Sequence, residues 1–442
     1  MIKNKVVKNA TWIIACKIIQ AVLGAIVTAL STRFLQPSGY GLISYAASIV
    51  AFATPIMQLG LNGIIVQELV NHPDEEGQTM GTTLGMTFFS SLFCIVGVVV
   101  FVSVANVGKT ETIIVCALYS VMLLFQAGEM LTYWFQAKLK SKYTSIVMLI
   151  AYFVVSAYKI ILLVLKGSIY LFSLSTAFDF MIIAISLFII YKKVGGGKLS
   201  FSFAKAKKMF SKSKYYILSN LMIIIFAQTD KIMLGHMLGI ESTGFYSAAV
   251  TCATMTSFVF AAIIDSARPR IFENKKLDND KYHKNLIQLF SIIIYLSLIQ
   301  CIVMTIFAPY VIAIFGGEAY KPSIDALRIV VWYTTFSYMG SVRNIWLLAE
   351  EKYKYVFAIN VSGAIMNVIL NIVFIPMWGI LGAAFASLVT QIFNNLIINV
   401  IIRPVSKVNR LIVKSLNPSY IFEFLRKRAN KKGISENETD KS

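Results

Sequence analysis

Apolar runs of about 20 residues are long enough to cross a bilayer as helices, and they recur in two sets along this chain. The first set is 10–32, 41–65, 82–105, 112–135, 144–165 and 168–190; the second is 215–238, 243–266, 286–308, 323–347, 354–376 and 379–402. Between the sets lies Tyr191 to Lys214, where Lys192, Lys193, Lys198, Lys205, Lys207, Lys208, Lys212 and Lys214 occur without an acid. A segment this basic cannot lie in lipid, so it divides two membrane-embedded halves. Phe201, Phe203, Met209 and Phe210 among its lysines predict a short interfacial helix.

Lysine and arginine favour the cytoplasmic side of a membrane. Lys138, Lys140 and Lys142, the divider, Arg268 to Lys284, and Lys352 with Lys354 all fall on one side of the twelve expected spans. The other side has little beyond Arg33, Lys109, Lys166 and Lys321, so both termini are expected inside. The acidic stretch His72 to Glu76 runs against the pattern, although acids weigh little in the rule. The expected organisation is a six-helix bundle over 1–191, a basic linker over 192–214, a second bundle over 215–403, and a cytoplasmic amphipathic helix with a disordered tail over 404–442.

The halves repeat each other. A shift of 212 residues brings Trp134 onto Trp346, Lys140 onto Lys352, Tyr143 onto Tyr355 and Gly167 onto Gly379. A shift of 205 brings Gly39 onto Gly244 and Glu68 onto Glu273. Six spans per half send both copies into the membrane the same way. The expected fold is therefore an all-α integral membrane protein with 12 transmembrane helices in two parallel six-helix repeats, related by a pseudo-twofold axis along the membrane normal.

Composition narrows the class without changing that picture. At 57% hydrophobic and 14% charged, the chain could not hide its apolar surface as a soluble domain, and its net charge of +20 sits between apolar runs. That placement points to lipid headgroups rather than nucleic acid. Cys16, Cys94, Cys116, Cys252 and Cys301 lie in apolar runs without metal-ligand spacing, so neither disulfide nor metal is expected. The basic start, MIKNKVVKNA, precedes a run too long for a signal peptide, which predicts a retained first helix. Walker, HExxH and GxSxG motifs are missing, so ATP hydrolysis, covalent catalysis and a cofactor are not expected.

Ionisable groups inside spans are costly and mark candidate sites. Lys159 and Asp179 stand on opposite arms of one hairpin, at depths differing by roughly 6 Å from the helical rise. Asn371 and Gln391 occupy the equivalent points of the second half, and both pairs read as structural clips. Lys17 has no acid at its depth and is a candidate cleft residue. Gln228, Asp230 and Lys231 share the seventh span, where neighbours cannot face the same way. Arg33, Arg268 and Arg270 close spans at opposite mouths, as topology anchors or as basic rings for an anionic cargo. Asn360, Asn367 and Asn371 form a polar stripe suited to interhelical hydrogen bonds, and Gly81 with Gly85 predicts close helix packing.

Asn9, Trp12, Arg33-Phe34-Leu35, Pro37, Gly39-Tyr40-Gly41, Gly60-Leu61-Asn62 and Glu68 resemble the start of the Wzx-type polysaccharide repeat-unit flippases of the multidrug/oligosaccharidyl-lipid/polysaccharide exporter superfamily. Asp230 to Gly235, Leu238-Gly239 and Gly244-Phe245-Tyr246 are similar in the second half, so the resemblance covers nearly everything except the tail. It implies flipping of a polyprenyl-diphosphate-linked glycan between leaflets of the cytoplasmic membrane for capsule or O-antigen synthesis. It also implies a cleft containing Lys17, Asp230 and Lys231, with a polysaccharide polymerase as candidate partner. Gln67 stands where the family usually has a basic residue, which puts a phosphate contact there in doubt.

Electrostatics separate the two readings that remain. Two negative charges leaving a cell held at 100 mV, inside negative, gain about 4 to 5 kcal/mol, so a flippase needs little further drive and a basic cleft. A cation-coupled multidrug exporter of the same fold works against that potential and needs an acid such as Asp179 or Asp230. A membrane glycosyltransferase would need catalytic acids in long outer loops, and the longest, 308–322, offers only Glu318.

Overall fold

A computed structural model describes residues 2–420; of residues 2–18 and Tyr353 only the backbone course is described. Among the described residues all regular structure is helical. The first half contains α1 (Ile2–Met57), α2 (Ile65–Asn71), α3 (Glu76–Ala105), α4 (Thr110–Ser120), α5 (Met122–Gln126), α6 (Leu131–Ala137), α7 (Ser141–Val164) and α8 (Ile169–Lys193). The second contains α9 (Phe203–Met237), α10 (Ile240–Thr254), α11 (Ser257–Leu277), α12 (Asn279–Phe315), α13 (Ser323–Ala349), α14 (Tyr353–Trp378), α15 (Ile380–Ile392), α16 (Ile398–Ile401) and α17 (Lys407–Ser415). Nine helices among the described residues are long and apolar enough to cross a membrane, ten if α10 and α11, bent by 43°, form one span. Apolar side chains such as Phe93, Val104 and Ile306 stay 74%, 74% and 63% exposed, which suits lipid rather than water. The protein is a multi-pass membrane protein.

α1 is two helices meeting at Gln36, whose φ of 57° and ψ of 173° are non-helical. Pro37 causes the break, since the residue before proline avoids the helical region and proline has no N–H to give. The Arg33 carbonyl, which that N–H would have served, instead accepts the Gln36 side-chain amide at 2.6 Å.

The twice-written loop is built twice. Leu139 and Glu351 have φ of 55° and 56°, one after each helix end. Lys140 N–H reaches the Phe135 carbonyl at 2.7 Å and Lys352 N–H the Leu347 carbonyl at 2.8 Å, closing the same C-terminal cap in both halves. Each lysine then lies over the ring of a buried tryptophan, Lys140 5.7 Å from Trp134 and Lys352 4.5 Å from Trp346. A left-handed backbone costs a non-glycine residue about 1 to 2 kcal/mol, partly offset by the flexibility glycine restores to the unfolded chain. Leu139→Gly and Glu351→Gly should each therefore raise stability by about 0.5 to 1 kcal/mol, measured by thermal unfolding in detergent. Beside the second loop, burial pushes the Glu350 carboxyl up, but bonds from Lys275 at 2.5 Å and Tyr282 at 3.1 Å leave it below the ordinary Glu value.

The basic divider differs from its expected form. Instead of a separate interfacial helix it enters α9 directly, which runs unbroken from Phe203 to Met237. Packing explains the continuity: Met209 is buried with Leu61 and Ile64, and Ser213 donates to the Leu59 carbonyl at 2.7 Å. Glu75 and Glu68 supply counter-charges to the divider, and Glu76 to the loop at Lys138. Glu75 pairs with Lys205 at 2.7 Å, Glu76 with Lys138 at 2.6 Å, and nearby Glu68 with Lys212 at 3.1 Å.

Gly81 and Gly85 also serve a different purpose from helix–helix packing. With Gly77 they open a groove on α3 that holds the extended chain before α9. A Cβ would lie 2.3 Å from the Lys198 carbonyl at Gly77, 2.5 Å from that of Ser200 at Gly81, and 2.9 Å from the Phe201 ring at Gly85. In the tail, α17 packs Val408, Leu411 and Ile412 into the second-half core, and Tyr295 donates to the Leu416 carbonyl at 2.5 Å. Phe424, Leu425 and the expected disordered end lie outside the described residues.

Candidate functional site

The linker marks one end of the bundle, and Gln36 lies at the other. At the Gln36 end the two halves meet closely. Arg33 donates to the Ala313 carbonyl at 2.8 Å, Tyr320 to that of Thr32 at 3.2 Å, and Tyr40 and Thr251 share a hydrogen bond of 3.0 Å. Between them α1 and α10 cross backbone to backbone. A Cβ on Gly41 would lie 2.1 Å from the Ile240 carbonyl, and one on Gly244 2.1 Å from that of Pro37.

Deeper in the second half, a cavity of about 360 Å³ opens among α9, α10, α13, α15 and the start of α11. Its one lining carboxylate, Asp230, is buried and already occupied. Tyr246 Oη donates to it at 2.6 Å, Asn371 Nδ2 at 2.6 Å, and Ser387 Oγ donates as well. Donors from three other helices thus hold one charge in place, the arrangement that makes a charge-assisted network rigid. Half-buried Lys231 lines the same cavity; its side chain feels the charge of Asp230 but makes no ion pair or hydrogen bond among the described residues. The cavity therefore presents a lysine with its hydrogen-bonding capacity open and a carboxylate already committed.

The other expected site residues are scattered. Gln228 accepts from Ser48 at 3.0 Å, joining α9 to the second arm of α1. Arg268 and Arg270 are exposed toward the linker end of α11, with Arg268 paired to Asp265 at 3.1 Å. Arg33 sits at the opposite end, so the arginines do not converge on the cavity. Lys159 and Asp179 feel each other's charge without forming an ion pair among the described residues. Lys17 belongs to the residues whose side chains lie outside the description. The expected Asn371–Gln391 clip does not form: Asn371 donates to Asp230, and Gln391 Oε1 accepts from Asn395 at 2.7 Å, one turn away on its own helix.

Among the ionisable residues inside the expected spans, Glu129 and Arg343 also escaped the sequence-based site, though the rule that selects Lys17 selects them too. Glu129 faces Asp179 electrostatically in the first half. Arg343, 3% exposed, donates at 2.5 Å to the Asn394 carbonyl, in the π-helical turn Phe393–Ile397 between α15 and α16. A π-turn misaligns its carbonyls from the helical ladder, leaving one free for such a donor. Tyr246 carried a signal as well, within Gly244-Phe245-Tyr246.

Comparison with known proteins agrees with this architecture. A lipid II flippase, MurJ, in an inward closed conformation superposes with a TM-score of 0.66, at 13% identity over 93% of this chain and 92% of that one. An inward-facing multidrug resistance MATE transporter of the MOP superfamily gives 0.63, at 14% identity over 88% and 96%. At these identities the likeness is one of fold. A Shigella flexneri protein provisionally assigned as an O-antigen transporter is 20% identical over 406 residues, 89% of this chain and 96% of its own length. A family model described as polysaccharide biosynthesis protein matches residues 6–275, more than half of the sequence, and the chain belongs to that family.

Proposed function

We infer that the protein is a Wzx-type flippase that carries polyprenyl-diphosphate-linked oligosaccharide repeat units from the cytoplasmic to the outer leaflet. It works by alternating access in the bacterial cytoplasmic membrane, for capsule, O-antigen or exopolysaccharide synthesis. Splitting α1 at Gln36 and adding α13 to the ten apolar spans gives twelve, in two parallel sets of six, with the linker end and both termini cytoplasmic. The tight contacts at the Gln36 end then correspond to a closed outer gate.

One observation carries the choice of cargo: the cavity's carboxylate is saturated by three protein donors, while its lysine is unpaired. A cation exporter needs the reverse. An anion with two charges fits, and Arg33, Arg268 and Arg270 at the two mouths suit its entry and exit. The test is deletion of the gene in a host still making its surface glycan. Lipid-linked repeat units should accumulate on the cytoplasmic face, be cleared by the intact gene, and be cleared at least about tenfold more slowly by Lys231→Ala, the loss expected for one charge-assisted contact. Unchanged glycan export together with altered sensitivity to cationic drugs would instead establish the exporter.

A further inference from the structure

The cavity holds hydrogen-bonding capacity that the protein leaves unspent, and the way it is divided is informative. The hydroxyls of Thr254 and Thr334 bond carbonyls of their own helices, and that of Tyr246 bonds Asp230. Those of Tyr333, Ser257 and Ser337 make no hydrogen bond among the described residues, and neither does Lys231. Open groups therefore come from three helices, α9, α11 and α13, and face one space. Around them Phe226 and Tyr333 contribute flat aromatic surface.

An apolar occupant would strand these polar groups without partners, at a cost in a dry site. A cation would meet Lys231. What satisfies every open group is a ring bearing several hydroxyls, apolar on its C–H face, next to a phosphate. The volume of about 360 Å³ is near the bottom of the roughly 300–1,000 Å³ range for small-ligand sites, room for a sugar or two and not for a whole repeat unit.

Resting on the lipid-linked-glycan reading above, we propose that this cavity seats the sugar attached directly to the diphosphate. Lys231 pairs with the adjacent phosphate, Tyr333 lies against the ring, and Tyr333, Ser257 and Ser337 bond its hydroxyls. The protein would thereby read the first sugar of its cargo, while the rest of the glycan stays in the space between the halves. A phospholipid headgroup with a phosphate and glycerol hydroxyls offers similar chemistry, so the test must separate the two.

The experiment measures binding to purified full-length protein in nanodiscs of a zwitterionic lipid. The probes are a short-chain polyprenyl diphosphate, bare or carrying one hexose or one N-acetylhexosamine. The sugar-bearing probe should bind at least about fivefold tighter than the bare one, the worth of a single net hydrogen bond. Tyr333→Phe and Ser337→Ala keep the shape of the site, and together they should bring that ratio close to one. Lys231→Ala should weaken both probes and keep the ratio. A ratio near one in the native protein, or a ratio the two variants leave unchanged, would show that the cavity does not seat the sugar. Equal displacement of the sugar-bearing probe by phosphatidylglycerol would assign the cavity to a lipid headgroup. Failure of the native protein to bind either diphosphate would reject the lipid-linked cargo itself, a different outcome from losing only the sugar preference.

Discussion

Gly41→Leu is expected to reduce transport about a hundredfold. The position tolerates no side chain, because a Cβ there would lie 2.1 Å from the Ile240 carbonyl and 2.8 Å from the Gly244 nitrogen, both backbone atoms that cannot rotate away. Overpacking among side chains typically costs about 1 to 3 kcal/mol. Between two backbones the upper figure applies, and about 3 kcal/mol against the state with the Gln36 end closed shifts its population by roughly two powers of ten. Thiol labelling of a cysteine placed at Thr251, with transport measured by clearance of lipid-linked repeat units, reads both effects. Gly244→Leu should give the same phenotype and the double variant little more, since both remove one contact. Native transport by a well-folded Gly41→Leu protein would mean that this crossing is not part of the cycle.

Asp230→Ala is the second large effect, and it separates stability from transport. Removing the carboxylate takes the common acceptor from Tyr246, Asn371 and Ser387, leaving them the 3.1 Å bond from Asn371 to Asn367 and the 3.3 Å contact between the two hydroxyls. Hydrogen bonds to a charged group are worth about 1.5 to 3 kcal/mol each in water-soluble proteins, and interhelical ones in membranes average about 0.6. A loss of about 2 to 5 kcal/mol in thermal unfolding of the detergent-solubilised protein follows. Asp230→Asn keeps one acceptor oxygen, and hydroxyl rotors can adapt to its amide, so about half the loss is expected, with transport retained. If Asp230→Asn proves stable yet inactive, the charge itself takes part in transport and its role as a brace for the cavity wall is wrong.

What could be read from the sequence, and what could not, follows the range of the interactions. The repeated loop was legible because tryptophan is rare, so Trp134 and Trp346 anchor the repeat, while the left-handed caps at Leu139 and Glu351 that close it were seen only in the structure. Apolar runs located the helices because that signal is local to each segment. The partners of Asp230 were not legible, since they lie 16, 141 and 157 residues away. Glycines at Gly41 and Gly244 were visible as motif letters, but only the crossing of α1 over α10 shows why nothing larger fits. Gly81 and Gly85 misled because a small-residue face invites any close neighbour, and here that neighbour is extended chain rather than a helix. Asn371 and Gln391 misled in the opposite way: matching positions in a repeat share a fold without sharing partners.

The seating of α9 has a mechanical consequence. Its first turns are bolted to the first half through Lys205, Lys212 and Ser213, while Asp230 ties its far part to α10, α14 and α15. A rod shared by two bodies lets them turn against each other only where it passes from one to the other. Gln228 still bonds Ser48 of the first half, while Asp230, two residues on, bonds the second, so α9 would act as a short joint at Gln228–Asp230 and its long stretch from Ser213, free of proline and glycine, would travel with the first half.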